Sequence, residues 1–287
     1  MSSVLLVAHH ERGEAGALAR ATADSLHADG HRVWLTPGDA AALDLADLAA
    51  EAEPSTADLA VSLGGDGTML RTVKLLRGAA VPVLGVNVGL LGYLTEVEPH
   101  ALQHALERWF AGPEAGRWQL DERMMLDLTV HRQDGSTSVT WTALNEGVVE
   151  KQESGHTVRL QVSIDGAPFT SYAADGLILA TPTGSTAYSL SARGPVLSPR
   201  LRAVLLTPVS PHMLFDRSLV LDPVEGVEVE VLGHRSATLS VDGQPATSLF
   251  EGDRVSVAPS EHVARFVRFG ERRFHQILKA KFGLTDR

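Results

Sequence analysis

The sequence contains no cysteine and no long apolar run. Without cysteine, the chain cannot form disulfides, use a thiolate nucleophile or bind zinc through sulfur, which fits a reducing compartment. No apolar stretch approaches the roughly 18 residues that a membrane-spanning helix needs. The first residues also show neither the basic region nor the cleavage site of a signal peptide. The sequence therefore predicts a cytoplasmic protein that has no membrane segment.

Positive charge is also scarce. The formal net charge is −10, and the sequence shows no basic stripe of the kind that follows a nucleic-acid backbone. Nucleic acid is therefore not an expected partner. A small anionic ligand remains compatible with an acidic surface, because backbone N–H groups and Mg²⁺ can hold phosphate locally.

The first third of the chain alternates short apolar runs with helical patterns. Four runs are expected to be strands, at 4–8, 32–36, 57–63 and 81–87. Two segments between them are expected to be helices, near 14–29 and near 40–52. Such alternation predicts βαβ units and a parallel sheet. In such sheets, ligands bind at the carboxyl ends of the strands. We expect the two glycine-rich segments that follow strands, 64–68 and 89–93, to meet at that edge.

The pattern of residue types changes after about residue 118. From 119 to 269 the apolar runs are short, rich in β-branched residues and often alternating, and turn pairs such as Asp165-Gly166 and Asp242-Gly243 separate them. These features are typical of antiparallel strands joined by hairpins. We therefore predict an α/β domain over 1–118 and a β-rich domain over 119–269. The segment 270–287 has an amphipathic helix pattern that packs back on the first domain or caps the second.

The most informative segment is Gly64-Gly65-Asp66-Gly67-Thr68, which follows an apolar strand run and leads directly into a helix pattern. Glycines let the backbone approach a ligand closely, and the first N–H groups of a helix favour anions. A carboxylate beside phosphates is repulsive unless it holds a metal ion or takes a proton from an attacking hydroxyl. Both are roles found in kinases. The alternative is a plain tight turn in which Asp66 caps the helix.

Four motifs resemble those of ATP-dependent NAD kinases of the bacterial type. They are the glycine loop at 64–68, Asn145-Glu146, Asp175-Gly176 followed by the segment 181–191, and the segment 241–244. The glycine loop alone is also similar to that of diacylglycerol kinases, sphingosine kinases and phosphofructokinases, so the resemblance implies an α/β domain of the phosphofructokinase and diacylglycerol-kinase type. The segment TPTGSTAYSLS at 181–191 is the discriminating motif, because it resembles the NAD-binding segment of NAD kinases.

The resemblance implies phosphorylation of the 2′-hydroxyl of the adenosine ribose of NAD, which gives NADP. The substrates would be NAD and ATP, or another phosphate donor, with Mg²⁺ or another divalent metal. Asp66 would be the catalytic residue, either as the general base or as the group that positions the hydroxyl and helps to hold the metal. A homodimer or homotetramer is also implied. Two alternatives are a lipid kinase of the diacylglycerol or sphingosine type and a dinucleotide-binding sensor without turnover.

The resemblance also assigns the residues that bind NAD or nucleotide. Asn145 and Glu146 would contact the ribose and adenine, and Asp175 the nicotinamide or adenine. His156 stands where relatives often carry arginine, and Ala173 where many carry lysine or arginine. The full predicted set is Gly64, Gly65, Gly67, Thr68, Arg71, Asn145, Glu146, His156, Asp175, Thr186, Ala187, Tyr188, Ser189, Leu190, Ser191 and Gln244.

Overall fold

The computed structural model describes residues 1–270 and 274–284, and the chain divides into two compact units. The first unit comprises Met1–Glu122 and Ala264–Arg287, and the second comprises Arg123–Val263. The sequence-based boundaries after residues 118 and 269 stay a prediction of where separately folding domains begin and end. Each unit has its own cluster of buried apolar side chains.

The first unit is built on a parallel sheet. Its first four strands in chain order are β1 (Ser3–Ala8), β2 (Arg32–Trp34), β3 (Leu59–Gly64) and β4 (Pro82–Asn87). They lie in the order β2-β1-β3-β4, and all neighbouring pairs are parallel. Arg265 and Phe266 add a further parallel pairing beside β4. The strands are buried almost throughout, as expected of a parallel sheet covered on both faces.

Five helices belong to the N-terminal part of the first unit: α1 (Gly13–Ala28), α2 (Pro37–Ala42), α3 (Asp66–Leu76), α4 (Leu102–Phe110) and α5 (Pro113–Gly116). Short 3₁₀ turns lie at Ala46–Leu48, Pro54–Thr56 and Pro99–Ala101. The prediction of one helix near 40–52 is wrong. Asp44 adopts a left-handed conformation with φ of 57°, which a continuous right-handed helix cannot contain.

The second unit is rich in antiparallel strands. In one sheet, β5 (Gln119–His131), which begins in the first unit, pairs with β6 (Val139–Ala143), and β8 (Val158–Ile164) lies between β9 (Ala167–Ala174) and β13 (Val227–Leu232). β13 also pairs with β16 (Arg254–Arg268). The other sheet has six strands. In spatial order they are β12 (Leu219–Leu221), β11 (Val204–Val209), β10 (Gly176–Ala180), β7 (Glu146–Lys151), β14 (Ala237–Val241) and β15 (Gln244–Leu249).

Tight turns join strands of both sheets in the second unit. Asp165-Gly166 connects β8 to β9, and Asp242-Gly243 connects β14 to β15. All four residues have positive φ values between 47° and 75°, which suits the twist of two-residue hairpins. A 3₁₀ turn at Gly184–Thr186 and the short helix α6 (Tyr188–Ser191) follow β10. The predicted fold class, a parallel α/β domain followed by a β-rich domain, is confirmed.

The C-terminal helix α7 (Phe274–Lys281) belongs to the first unit. Its Phe274 ring lies 6.5 Å from the ring of Tyr93, and the Lys281 ammonium lies 4.2 Å above that same ring. The predicted helical segment 270–287 is therefore represented by α7, while 271–273 and 285–287 lie outside the described residues. Across the described ranges, no helix is both long and apolar enough to cross a membrane.

Candidate active site

The glycine loop connects β3 to α3. β3 ends at Gly64, Gly65 is the N-cap of α3, and Asp66 is the first helical residue. Packing requires glycine at position 64, because a Cβ there would overlap the Thr68 side chain. The first N–H groups of a helix have no acceptor within the helix and favour an anion. The turn therefore offers a phosphate both backbone donors and a close approach.

The second glycine-rich segment holds the Asp66 carboxylate. The backbone N–H of Tyr93 donates to Oδ2 and that of Leu94 to Oδ1, each at 2.9 Å. A Cβ on Gly92 would overlap Oδ1. Capping by Asp66, the alternative interpretation of the turn, does not hold, because α3 has no side-chain cap. The residue is half-buried, so the carboxylate is oriented and still accessible.

The two glycine-rich segments meet at the carboxyl edge of the sheet, as predicted. The N–H of Val88 donates to the carbonyl of Gly64 at 3.0 Å, and Gly64 lies opposite Asn87 in the β3–β4 pairing. The buried Oδ1 of Asn87 has no hydrogen-bond partner within the described residues. A buried acceptor without a partner is uncommon, so this edge retains an unused polar group beside the glycine loop.

Arg71 lies on α3, and its guanidinium contacts groups at and after the end of β1. It donates to the Asp39 carboxylate and to the Ala8 carbonyl, and Nη1 lies 2.9 Å from Nε2 of His10. Asp39 is buried, and its Oδ1 lies 2.7 Å from the same His10 nitrogen. A buried carboxylate is costly without a charged partner. Arg71 therefore neutralises Asp39, and its contact with nucleotide stays a prediction.

In the second unit, Asp242 organises the turn before β7. Its carboxylate accepts the backbone N–H groups of Leu144 and Asn145, both at 2.8 Å, and of Glu146 at 3.1 Å. The Asp242 N–H returns a hydrogen bond to the Glu146 carbonyl at 2.9 Å. Charge-assisted hydrogen bonds to backbone N–H groups are stronger than neutral ones. The Asn145-Glu146 pair is thus held in one conformation, and both side chains are buried.

The TPTG turn docks on the same segment. The Thr181 N–H donates to the Asn145 carbonyl at 2.8 Å, and the Thr181 hydroxyl donates to the Leu144 carbonyl at 2.6 Å. Gly184 has no room for a Cβ, which would overlap the Asn145 carbonyl. Two motifs far apart in the sequence, 144–146 and 181–191, therefore form one local structure inside the second unit.

Glu146 is the residue of this structure with the most perturbed acidity. Burial raises its pKa from 4.5 to about 7, the Asp242 carboxylate acts in the same direction, and a hydrogen bond from the Tyr188 backbone opposes them. Its Oε2 is buried and has no partner within the described residues. Perturbed carboxyl groups with unused acceptors are common at functional sites. Glu146 therefore titrates near neutral pH and has an oxygen that is free to accept a hydrogen bond from a hydroxyl group.

The acidity of Glu146 predicts a pH-dependent stability. The pKa of Glu146 is higher in the folded state than in the unfolded state, so the protonated Glu146 stabilises the fold. This contribution to the free energy of unfolding is complete below about pH 4.5 and is lost as the pH rises through about 7. Through this group the parent should lose roughly 2 kcal/mol of its free energy of unfolding between pH 5 and 8, and Glu146→Gln should not show that loss. Urea unfolding at several pH values measures it, with the exposed Glu153→Gln as control. Identical pH dependence in the parent and Glu146→Gln would contradict it.

Asp175 and Tyr188 belong to a charged surface of the second unit. The Lys151 ammonium lies 2.5 Å from Asp175 Oδ1, so a basic group accompanies Asp175 although position 173 is alanine. Burial raises the pKa of the half-exposed Tyr188 phenol, and the carboxylates of Glu150, Asp175 and Glu146 act in the same direction. Tyr188 is therefore surrounded by carboxylates and keeps an accessible ring.

The remaining predicted residues have varied surroundings. Ser189 is buried, and its hydroxyl lies 3.1 Å from that of Thr207. His156 and Gln244 are exposed, and within the described residues neither side chain makes a hydrogen bond. Thr186, Ala187 and Leu190 are half-buried, and Ser191 is exposed. Ser189 is therefore packed in the interior, and the binding roles of all these residues stay predictions.

Several groups that organise the site were not identified from the sequence. The backbone N–H groups of Tyr93 and Leu94 carry no residue-type signal, because any residue supplies an N–H. Asp242 was noted as part of a turn pair and of the motif at 241–244, but no role was predicted for its carboxylate. Its position before glycine predicted the hairpin, and only the pairing of β14 with β7 brings its carboxylate to residues 144–146. Lys151 was visible only as a charge at the end of a strand.

Comparison with known proteins identifies the family. The model for the ATP-NAD kinase N-terminal domain matches residues 6–114, and that for the C-terminal domain matches residues 144–269. The chain belongs to the ATP-NAD kinase family. An NAD kinase of Heliobacterium modesticaldum is 46% identical over 225 residues, which are 78% of each chain. An NAD kinase of Symbiobacterium thermophilum is 39% identical and covers 99% of this chain and 100% of its own.

Solved structures of the family have the same fold. The yeast NADH kinase complexed with NADH aligns with a TM-score of 0.90 and 26% identity, covering 100% of this chain and 89% of its own. The NAD kinase of Archaeoglobus fulgidus in complex with ATP aligns with a TM-score of 0.72 and 24% identity, covering 99% of both chains. The second similarity supports the fold alone. The predicted resemblance to NAD kinases is confirmed.

Proposed function

We propose that this member of the NAD kinase family transfers the terminal phosphoryl group of ATP to the 2′-hydroxyl of the adenosine ribose of NAD, giving NADP and ADP. The observation that carries the proposal is the oriented Asp66 carboxylate at the start of α3, directly after the glycines. Tyr93 and Leu94 fix its two oxygens. Family membership supplies the two substrates.

In this reaction the Asp66 carboxylate accepts the proton of the ribose hydroxyl as the hydroxyl oxygen attacks phosphorus. Each carboxylate oxygen has a further lone pair beyond the one that takes a backbone N–H, so it can still accept this proton. Because both oxygens are oriented before substrates bind, little reorganisation is needed during the reaction. Phosphoryl transfer depends mainly on positioning and charge neutralisation, and the loop at 64–68 offers donors for the phosphates.

A divalent metal ion, which we propose to be Mg²⁺, fits this site with one protein ligand. No group of three His, Cys, Asp or Glu side chains in the described ranges could hold a metal ion. Mg²⁺ commonly binds through one or two carboxylates together with the substrate phosphates, and Asp66 is the carboxylate that would contribute. When bound, the ion neutralises charge on the transferring phosphates.

The second unit supplies the proposed NAD-binding residues. The free Oε2 of Glu146 suits a ribose hydroxyl, because this oxygen accepts a hydrogen bond from the hydroxyl once the carboxyl group is ionised. The half-exposed ring of Tyr188 offers a surface for stacking. Asn145 and Asp175 complete the polar groups, and we retain the other predicted residues as proposed contacts. The fixed turn at 144–146 supports this role, because preformed binding groups lose little entropy when a ligand binds.

The family comparison does not favour the two alternatives. The matched models are those of ATP-NAD kinases and extend over both parts of the chain, which a lipid kinase of the diacylglycerol or sphingosine type does not explain. A sensor without turnover does not account for the orientation of the Asp66 carboxylate, since a carboxylate beside phosphate opposes binding. Acceptance of the hydroxyl proton during catalysis does account for it.

We also propose a cytoplasmic homodimer or homotetramer. Support for assembly comes from large apolar side chains of the second unit that are left exposed, including Leu214, Val220 and Val224, because association of subunits would remove such side chains from water. The absence of cysteine is consistent with a reducing compartment. Light scattering coupled to gel filtration measures the mass in solution, and a monomer at all concentrations would contradict the assembly.

The proposed activity predicts NADP formation by the purified chain. We expect turnover with NAD, ATP and Mg²⁺, detected by a coupled NADP-specific dehydrogenase. A panel of ATP, other nucleoside triphosphates and polyphosphate identifies the donor, and NADH in place of NAD, with NADPH as the product assayed, tests the acceptor. Diacylglycerol and sphingosine serve as alternative acceptors. Well-folded protein that forms no NADP with any donor, or that phosphorylates only a lipid, would overturn the proposal.

A further inference from the structure

The 88–94 segment, which supplies the two N–H groups to Asp66, lies between β4 and α4. The segment has no regular secondary structure, and the Leu90 side chain at its tip is 89% exposed. Within it only residues 89 and 90 are exposed, whereas Val88 and Leu94 at its ends are buried. The exposed tip therefore has little packing of its own to restrain it. The orientation of the Asp66 carboxylate is therefore only as well defined as the 88–94 segment that holds it.

The end of the 88–94 segment is fixed by an arginine. Nη1 of Arg268 donates to the Leu94 carbonyl at 3.0 Å and also pairs with Glu96 at 3.2 Å, while Nε donates to Asp121 at 3.2 Å. The Arg268 side chain is only 11% exposed. A buried guanidinium with carboxylate partners is held in one geometry. Leu94 is therefore anchored independently of Asp66.

The start of the 88–94 segment is held by a second arginine. Nη1 of Arg12 donates to the Val88 carbonyl, and the guanidinium packs so closely on Gly89 that a Cβ there would overlap it. Gly89 has φ of 125°, a conformation that favours glycine. Arg12 is exposed, and within the described residues no carboxylate pairs with it. The Val88 carbonyl is thus its hydrogen-bond acceptor.

We infer that Arg12 is a positioning residue for Asp66. By holding Val88 and covering Gly89, its guanidinium fixes the start of the segment whose other end Arg268 fixes, so that the N–H groups of Tyr93 and Leu94 remain aimed at the carboxylate. Arg12 acts on phosphoryl transfer through this contact and not through a substrate. The inference rests on the proposed kinase function, in which Asp66 is the base.

Replacing Arg12 should therefore affect turnover more than binding. We expect Arg12→Ala to lower kcat by roughly 10- to 100-fold, because a small misplacement of a catalytic group is costly, with KM for NAD and ATP changed by less than about threefold. Added guanidinium ion at millimolar concentration should restore part of kcat. Arg20→Ala is the matched control, because Arg20 lies on α1 and pairs with Asp47 at the surface, a contact of small energetic value.

Two further measurements separate positioning from other roles. If Arg12 acts through Asp66, Arg12→Ala should add little to the loss already caused by Asp66→Asn, since residues that act as a unit are non-additive. The amide protons of Tyr93 and Leu94 should exchange faster in Arg12→Ala, and this readout needs no activity. The inference is overturned by additive losses in the double variant, by a raised KM for ATP with kcat unchanged, or by unaltered exchange. Absence of turnover in the parent would contradict the proposed function and leave the exchange result to decide on Arg12.

Discussion

Replacing Asp66 by asparagine is expected to lower kcat by roughly 10²- to 10⁴-fold, as for loss of a general base. Asparagine has nearly the same shape, and its oxygen can still accept an N–H from Tyr93 or Leu94. The amide cannot take the hydroxyl proton, and its NH₂ group faces the second backbone N–H in place of an acceptor. KM for NAD should change little, because the substitution leaves Asn145, Glu146 and Tyr188, the proposed NAD contacts of the second unit, unchanged. Initial rates of NADP formation at varied NAD and ATP give both constants.

The control for this variant is Asp24→Asn. It removes the same charge from an exposed position on α1, where Asp24 forms a surface ion pair with Arg20 at 3.8 Å. Its kcat should equal that of the parent. If Asp66→Asn turns over as fast as the parent, Asp66 has no part in the chemistry. If it loses NAD binding with kcat intact, the carboxylate belongs to the binding site.

Local patterns in the sequence were sufficient to predict much of the first unit. The glycine loop lies between an apolar strand run and a helix, and the parallel sheet then places the glycine-rich segments after β3 and β4 at one edge. The predicted helix near 40–52 failed for a local reason. Alanine and leucine favour a helix, but Asp44 takes a left-handed conformation, and the chain turns before the segment can continue.

The groups that orient the candidate site depend on contacts between distant parts of the chain. Asp66 is held by N–H groups 27 and 28 residues away, and backbone donors leave no signal in residue type. Arg71 carried the right charge for a nucleotide contact, but charge alone could not reveal that Asp39, 32 residues earlier, is its acceptor. Residue type therefore predicted which side chains are candidates, and tertiary pairing decides what each one contacts.

Asp242→Asn is expected to have the second large effect, on NAD binding. The Asp242 carboxylate accepts three backbone N–H groups from residues 144–146, whereas an asparagine side chain would turn an NH₂ group toward some of them. Leaving buried N–H groups without an acceptor costs about 1–3 kcal/mol. We expect kcat/KM for NAD to fall roughly 10- to 100-fold, with most of the change in KM. Steady-state rates at varied NAD measure it.

Asp165→Asn is the matched control for this variant. Both aspartates precede glycine in a hairpin turn and have positive φ. Asparagine tolerates this conformation, so both turns should accept the substitution equally well. Asp165 accepts one N–H, from Gly226 at 2.8 Å, and has no contact with residues 144–146. Its kcat/KM should equal that of the parent. Equal losses in the two variants would mean that the effect of Asp242→Asn comes from turn chemistry.

Asp242→Asn should also change the titration of Glu146. The Asp242 charge is one cause of the raised Glu146 pKa, and its removal makes ionisation of Glu146 easier, so that pKa should fall below about 7. The loss of stability that accompanies this ionisation should then occur at lower pH. In Asp165→Asn it should stay where it is in the parent. A fall in NAD affinity without this shift in pH would mean that Asp242 orients the turn but does not act on Glu146 through its charge.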